Sequence, residues 1–340
     1  MTFIVERFDP GAASDEELRK RYELERDIFQ ETTPEDDSHP FERWRDDFAH
    51  VPSYDKRTYW SVWDGDRSHL LATAVLRLQY TESNRHLCTI AGGVRRDARR
   101  LGIGTRLVGE LAQAAHEDER TVLWSNAEEG SPGDAFLTAL GFEKRATERK
   151  SRMDMTKVDR AMLEGWIKRA SERASDYSLL AWDGPVPDEY VDAFADLQHV
   201  MNTAPKDDLD MDDWVHTPDR LRENEQKAIA SGWSWWTLVA RHDATGELAG
   251  YTELAFHADH PDRGEQGDTG VRPSHRDRGL GRWLKASNAV RLLDEKPVVR
   301  YVDTWNAFSN DAMLGINIAM GFELVRGYGE FQAPVATFVK

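Results

Sequence analysis

One short pattern is written twice in this chain, and its repetition is the strongest constraint on what the chain can fold into. Residues 94–104 read Val94-Arg-Arg-Asp-Ala-Arg99-Arg-Leu-Gly102-Ile-Gly104, and residues 271–281 read Val271-Arg-Pro-Ser-His-Arg276-Asp-Arg-Gly279-Leu-Gly281. The valine, the arginine five residues on, and both glycines fall at the same offsets. In each copy a strand pattern runs into a basic turn and then into a helix. Glycine lets backbone N–H groups approach a ligand without a Cβ in the way, and a helix start presents free N–H groups and a positive dipole end. Two such turns predict two homologous lobes, each with a site suited to a diphosphate.

The repeat extends outward in register. Lobe one opens with the strand pattern Phe3-Ile-Val-Glu-Arg-Phe8, then Ser14-Asp-Glu-Glu as an N-cap and acidic first turn of a helix through Phe29. Lobe two opens with Tyr177-Ser-Leu-Leu-Ala-Trp182 and a helix from about Asp188 through His199. Thr-x-Pro-x-Asp-Asp follows both helices, at Thr32–Asp37 and Thr203–Asp208. Hairpin patterns come next: Thr58–Trp63 with Leu70–Leu78, and Trp235–Arg241 with Leu248–Phe256. After each glycine turn an amphipathic helix follows, with Leu107, Val108, Leu111 and Ala115 on one face in the first copy and Trp283, Ala286, Val290 and Leu293 in the second. Each lobe closes with a strand and a helix ending in Gly-Phe, at Gly141-Phe142 and Gly321-Phe322. Thr156–Ala170 reads as a connecting helix. The expected division is 1–155, a connector 156–176, and 177–340.

Bulk properties narrow the function. With 340 residues the chain has room for two ordinary domains. Its net charge of −17, from 44 basic and 61 acidic residues, argues against a nucleic-acid binder and favours cationic small molecules. No apolar run approaches membrane-spanning length, and Met1-Thr-Phe-Ile-Val reads as a strand rather than a signal peptide, so a cytoplasmic protein without a membrane partner is expected. The single cysteine, Cys88, excludes an intrachain disulfide and reads as a small core residue. His257-x-x-His260 with Asp262 reads as a solvated polar loop, and no metal is expected. Neither turn has the ending of an NTP-binding loop or the third glycine of a dinucleotide fold.

Arg-x-x-Gly-x-Gly after a strand, duplicated and followed each time by Gly-Phe about forty residues later, resembles the GCN5-related N-acetyltransferase (GNAT) family. The arrangement is a tandem one like that of mycothiol synthases. The resemblance implies an α/β fold of two tandem GNAT-type domains, each a mixed, mostly antiparallel central sheet flanked by helices. It also implies acetyl-CoA as cosubstrate, with its pyrophosphate on the glycine turn. In lobe two the turn and its flanks supply Arg272, Arg276, Arg278, Gly279, Leu280, Gly281 and Arg282; in lobe one, Arg99, Gly102, Gly104 and Thr105. The backbone N–H of Val271 or Val94 would meet the thioester carbonyl and stabilise the oxyanion.

The last helix of the family carries an Asn near the pantetheine arm and a Tyr that protonates the leaving thiolate. Lobe two keeps Asn310 but has Asn317 at the Tyr position; lobe one has Gly130 and Leu137. Lobe two is therefore expected to be catalytic and lobe one a degenerate partner. Asn317 is no acid, so water or Tyr328 is left to protonate the thiolate. An amine acceptor arrives as an ammonium and must lose a proton before it attacks. Glu253, in an apolar strand, is the first candidate base; Glu265 and Asp268 come next. The expected activity is direct transfer of acetyl from acetyl-CoA to a small-molecule amine, by a monomer (a pseudo-dimer) or a homodimer. An inert acyl-CoA-binding regulator and a mycothiol-synthase-like enzyme are the alternatives.

Overall fold

The computed structural model describes residues 2–339. The elements of the first half are β1 (Phe3–Phe8), α1 (Asp15–Thr32), α2 (Phe41–Asp46), β2 (Asp55–Asp64), β3 (Leu70–Gln79), β4 (Leu87–Val94), α3 (Ile103–Glu117), β5 (Val122–Glu128), α4 (Pro132–Ala139) and β6 (Glu143–Asp154). The second half has α5 (Arg160–Arg173), β7 (Tyr177–Asp183), α6 (Val191–Gln198), α7 (Pro218–Ala230), β8 (Trp233–His242), β9 (Leu248–His257), β10 (Arg263–Val271), α8 (Leu280–Glu295), β11 (Tyr301–Ala307), α9 (Asp311–Met320) and β12 (Phe322–Pro334). No helix among the described residues is long and apolar enough to cross a membrane.

Local chemistry explains where the helices start. Ser14 caps α1 in a reciprocal box: its Oγ accepts from the Glu17 N–H at 3.3 Å, and Glu17 Oε2 accepts from the Ser14 N–H at 3.0 Å. Both helices after the glycine turns begin on a left-handed glycine, Gly102 at φ 81° and Gly279 at φ 86°, with no side-chain cap. Their first N–H groups are left for another acceptor.

The chain forms two compact units, which do not coincide with the expected contiguous division. One unit runs through Ala146 and takes in Asp208–Asp212 and the chain from Gly329 onward; the other comprises Thr147–Asp207 and Asp213–Tyr328. The reason is the fate of two long strands. Past Ala146, β6 pairs antiparallel with β11, from Glu148↔Ala307 to Asp154↔Tyr301. The end of β12 instead lies beside β5, where Glu330 Oε2 accepts from Trp124 Nε1 at 2.6 Å and the Thr121 carbonyl accepts from the Val335 N–H at 2.8 Å. Nor is α5 a free connector, since it buries Leu163 and Trp166 in the core of the second unit.

In the first unit the strand order is β1-β2-β3-β4-β5 followed by the end of β12; in the second it is β7-β8-β9-β10-β11 followed by β6. Only β4–β5 and β10–β11 pair in parallel among the described registers. Leu107, Val108, Leu111 and Ala115 of α3 are buried against Val62, Leu76 and Ile90, as the helical spacing predicts. Each fully buried leucine contributes about 1.5–3 kcal/mol. In the second unit the sheet is covered on both faces. Leu254 and Phe256 pack with Ala286 and Leu292 of α8, while Tyr251 packs with Trp182 and Phe194. Cys88 is buried, its Sγ donates to the Val122 carbonyl, and burial pushes its thiol up to about 12; it is core, as expected, and no nucleophile.

Candidate active site

Two parallel strand pairs open into gaps. β10 and β11 are paired from Arg263↔Tyr301 only to Gln266↔Thr304, although β10 continues to Val271. β4 and β5 are paired only from Leu87↔Val122 to Thr89↔Trp124. Past those points one edge of β10 and of β4 has no partner from the parallel neighbour. The Arg272 N–H donates to the Ala249 carbonyl of β9, and the Arg95 N–H to the Leu71 carbonyl of β3, each at 2.8 Å. Successive N–H groups of an antiparallel strand point to opposite sides. The N–H groups of Val271 and Val94 therefore face the gaps.

The turns that follow share a fold-back: Arg276 Nε donates to the Val271 carbonyl at 3.0 Å, and Arg99 Nε to the Val94 carbonyl at 3.1 Å. Beyond this they differ. The Arg99 guanidinium is held by both oxygens of Glu31, at 2.8 and 2.7 Å, and these bonds pull the Glu31 carboxyl below its ordinary range. Arg276 instead donates to the Thr203 hydroxyl at 2.6 Å and has no carboxylate partner among the described residues. A Cβ on Gly104 would come within 2.8 Å of the Phe136 ring, so that glycine is covered. On Gly281 the nearest atom would be Ile316 Cδ1, at 3.7 Å.

The other arginines of the second turn are spoken for. Arg272 lies 2.5 Å from Asp196, Arg278 lies 3.5 Å from Asp176, and Arg282 stacks 5.2 Å from the Trp166 ring. Leu280 is a core side chain and adds nothing to the surface of the turn; Thr105 is exposed at the start of α3. Asn310 caps α9, accepting from the Met313 N–H at 3.2 Å. Asn317 is buried; its Nδ2 donates to Asn306 Oδ1 at 2.7 Å, and its own Oδ1 has no partner among the described residues.

Glu253 and Asp268 come together across a β-bulge. The β9–β10 register shifts between Leu254↔Gln266 and Thr252↔Thr269, so Glu253 faces two residues, Gly267 and Asp268. A Cβ on Gly267 would lie 3.3 Å from Glu253 Cβ, which fits a glycine at that place. Burial, then the charges of Asp268 and Glu225, raise the Glu253 carboxyl to about 8. Glu225 is itself held by the Val186 N–H at 2.8 Å and by Arg222 at 2.7 Å. Crowding by surrounding protein also raises Asp268, although solvent reaches it, and the Tyr251 hydroxyl donates to it at 3.2 Å. The pair lies in a recess, crowded by protein on most sides yet reached by solvent.

Sequence reasoning missed what holds this bulge. Gln266 Nε2 donates to Thr252 Oγ1 at 3.0 Å, to the Glu253 carbonyl at 2.6 Å and to the Gly267 carbonyl at 3.2 Å. Thr252 and Thr269 share a hydroxyl bond of 2.7 Å. Polar residues at buried positions of a strand were the signal available. Of the other candidates, Glu265 lies opposite Ala255, on the face that carries Glu253. Tyr328 lies against Trp305 with ring centroids 4.9 Å apart, on a strand separated from β10 by β6 and β11. His257 has its ring nitrogens on the Ser231 carbonyl (2.9 Å) and the Asp259 N–H (3.1 Å).

The model of the acetyltransferase (GNAT) family matches residues 18–142 and again 195–311. Among solved structures, a tandem GNAT protein from the clavulanic acid biosynthesis pathway superposes with a TM-score of 0.77 at 24% identity, covering 98% of this chain and 99% of that one. A GCN5-related N-acetyltransferase from Sphaerobacter thermophilus gives a TM-score of 0.67 at 17% identity over 98% and 96%. No curated protein matches the chain in sequence.

Proposed function

From the premise that the chain belongs to the GNAT acetyltransferase family, as a tandem of two such domains, we propose that its second unit transfers acetyl from acetyl-CoA to a small-molecule amine. The observation that carries this reading is the bulge in β10. It sets Glu253 and Asp268 in a recess a few residues before the free Val271 N–H and the open turn at Arg276, Gly279 and Gly281. Acetyl-CoA fits there chemically: uncapped N–H groups at the start of α8 and the Arg276 guanidinium suit its diphosphate, and the gap beside β10 suits its arm. It supplies the thioester that is broken.

The residues would act in sequence. The acidic recess attracts the acceptor as an ammonium, and that positive charge brings the raised Glu253 carboxyl back toward its ionised form. Glu253, directly or through water, then takes the proton that the amine must lose. The Val271 N–H donates to the thioester carbonyl oxygen as negative charge develops on it. Water protonates the thiolate, because Asn317 has no acidic proton.

Acetyl-CoA titrated calorimetrically into Gly279→Asp is expected to lose binding, while Gly102→Asp binds as the wild type does. The opposite pattern would move the site to the first unit. A second reading, an acyl-CoA binder without turnover, is favoured by the absence of a hydroxyl at Asn317. Release of free thiol from acetyl-CoA in the presence of a panel of amines decides between the two.

A further inference from the structure

The first unit contains a cavity of about 330 Å³ between α1, the α2 region and strands β2 to β4, within the size range of small-ligand sites. Its wall is aromatic. Trp44 meets Phe48 edge-on at 4.8 Å, and Phe48 meets Tyr59 edge-on at 5.1 Å. Val75 and Ala91 line its floor, and they pair directly across an unbulged β3–β4 register. These are the strand positions at which the second unit carries Glu253 and its bulge, so the cavity offers a place to bind without the base that an amine acceptor needs.

The charged groups around it are unequally satisfied. Its two acids are engaged: Glu25 accepts from Trp44 Nε1 at 2.9 Å and lies 2.8 Å from Arg21, and Asp47 lies 3.1 Å from Arg43. Among the residues lining the cavity, the unmet buried side-chain atoms are donors, Arg21 Nε and Arg57 Nε, while just behind them Asp55 Oδ1 is an unmet acceptor. Arg57 Nε is buried without a hydrogen-bond partner among the described residues. The Tyr59 hydroxyl, whose proton burial holds more tightly and the nearby Arg57 charge loosens, is a further donor on the same wall. Arg57 and Arg77 also share a single carboxylate, Asp55, at 3.4 and 2.7 Å, leaving one positive charge in surplus. A buried donor without an acceptor is unfavourable, and a ligand oxygen would relieve it.

We propose that this cavity binds an apolar monocarboxylate, with its ring or branched chain against Trp44 and Phe48 and its carboxylate on Arg57 and Tyr59, and that no transfer occurs there. The first unit is then a ligand-binding domain in its own right, whatever reaction the second performs.

The test is calorimetric titration of the full chain with phenylacetate, with 3-methylbutanoate, and with 2-phenylethylamine as the charge-reversed probe. At least one acid is expected to bind, with the amine at least tenfold weaker. Ala91→Phe fills the cavity from an exposed strand position and is expected to weaken the acid at least tenfold, as is Arg57→Gln. Tyr59→Phe, which removes a single oxygen, is expected to weaken it several-fold without disturbing the fold. Failure of both acids to bind, binding unchanged by Ala91→Phe in a folded variant, or preference for the amine each overturns the proposal.

Discussion

In the turn after β4, Glu31 clamps the Arg99 guanidinium and Phe136 lies over Gly104; in the turn after β10, Arg276 meets a hydroxyl and a carbonyl, and Gly281 stands clear of Ile316. The backbones of the two turns are nearly the same, down to the left-handed glycines and the non-glycine residues Arg100 and Asp277 at φ 66° and 62°. What separates them is the side chains that neighbouring elements bring in. The strands upstream repeat the lesson. Val75 opposite Ala91 makes a flat apolar floor, whereas Glu253 opposite Gly267 and Asp268 makes a charged recess. A duplicated scaffold thus keeps its shape while a few contacts decide which copy leaves its turn uncovered and which carries a carboxylate pair on its central strands.

The largest expected effect lies at the bulge. Glu253→Gln should lower kcat/KM for an amine acceptor by about 10²–10³-fold, read as thiol release. For the wild type, kcat/KM should climb with pH through about 8 as Glu253 loses its proton, and the variant should flatten that climb. An unaltered rate and profile would remove Glu253 from the chemistry and leave the two strands functionally alike.

A smaller effect is expected at the clamp. Wild-type protein should bind one acetyl-CoA per chain, and Glu31→Gln combined with Phe136→Ala should open a second site, at least tenfold weaker, visible in the stoichiometry of a titration. If the stoichiometry stays at one, the turns differ by more than the groups that cover them.

The smallest effect concerns stability. The folded chain holds the Glu253 proton more tightly than the unfolded chain, where a glutamate titrates near 4.3. Stability is therefore lost as pH rises from that value through about 8. Glu253→Gln escapes this loss and should be more stable than wild type at pH 9 by about 1–3 kcal/mol, allowing for water in the recess. Below pH 4 the two should unfold alike, as denaturant titrations at the two pH values will show.

Much of this was legible before any fold was known. The Ser14 cap, the buried face of α3, the helix starts at Gly102 and Gly279, and the core burial of Cys88 follow from spacing and local chemistry, which act over a few residues. Glu253 stood out as a carboxylate in an apolar strand. The Gln266 network did not, because its partners Thr252 and Thr269 lie on different strands or beyond the bulge. The clamp did not either, since Glu31 and Arg99 are far apart in sequence and either reads as an ordinary surface charge.

The sequence by itself therefore determined that there are two homologous lobes, where their glycine turns lie, and which elements flank them, because periodicity, caps and glycines are read within a short window. Tertiary structure alone decided that β6 crosses to pair with β11 and that the end of β12 crosses to lie beside β5, and it alone decided which arginine is neutralised and which carboxylates meet. Strand pairing and charge compensation are choices among distant partners, and a strand's own residues carry no mark of which edge it will join.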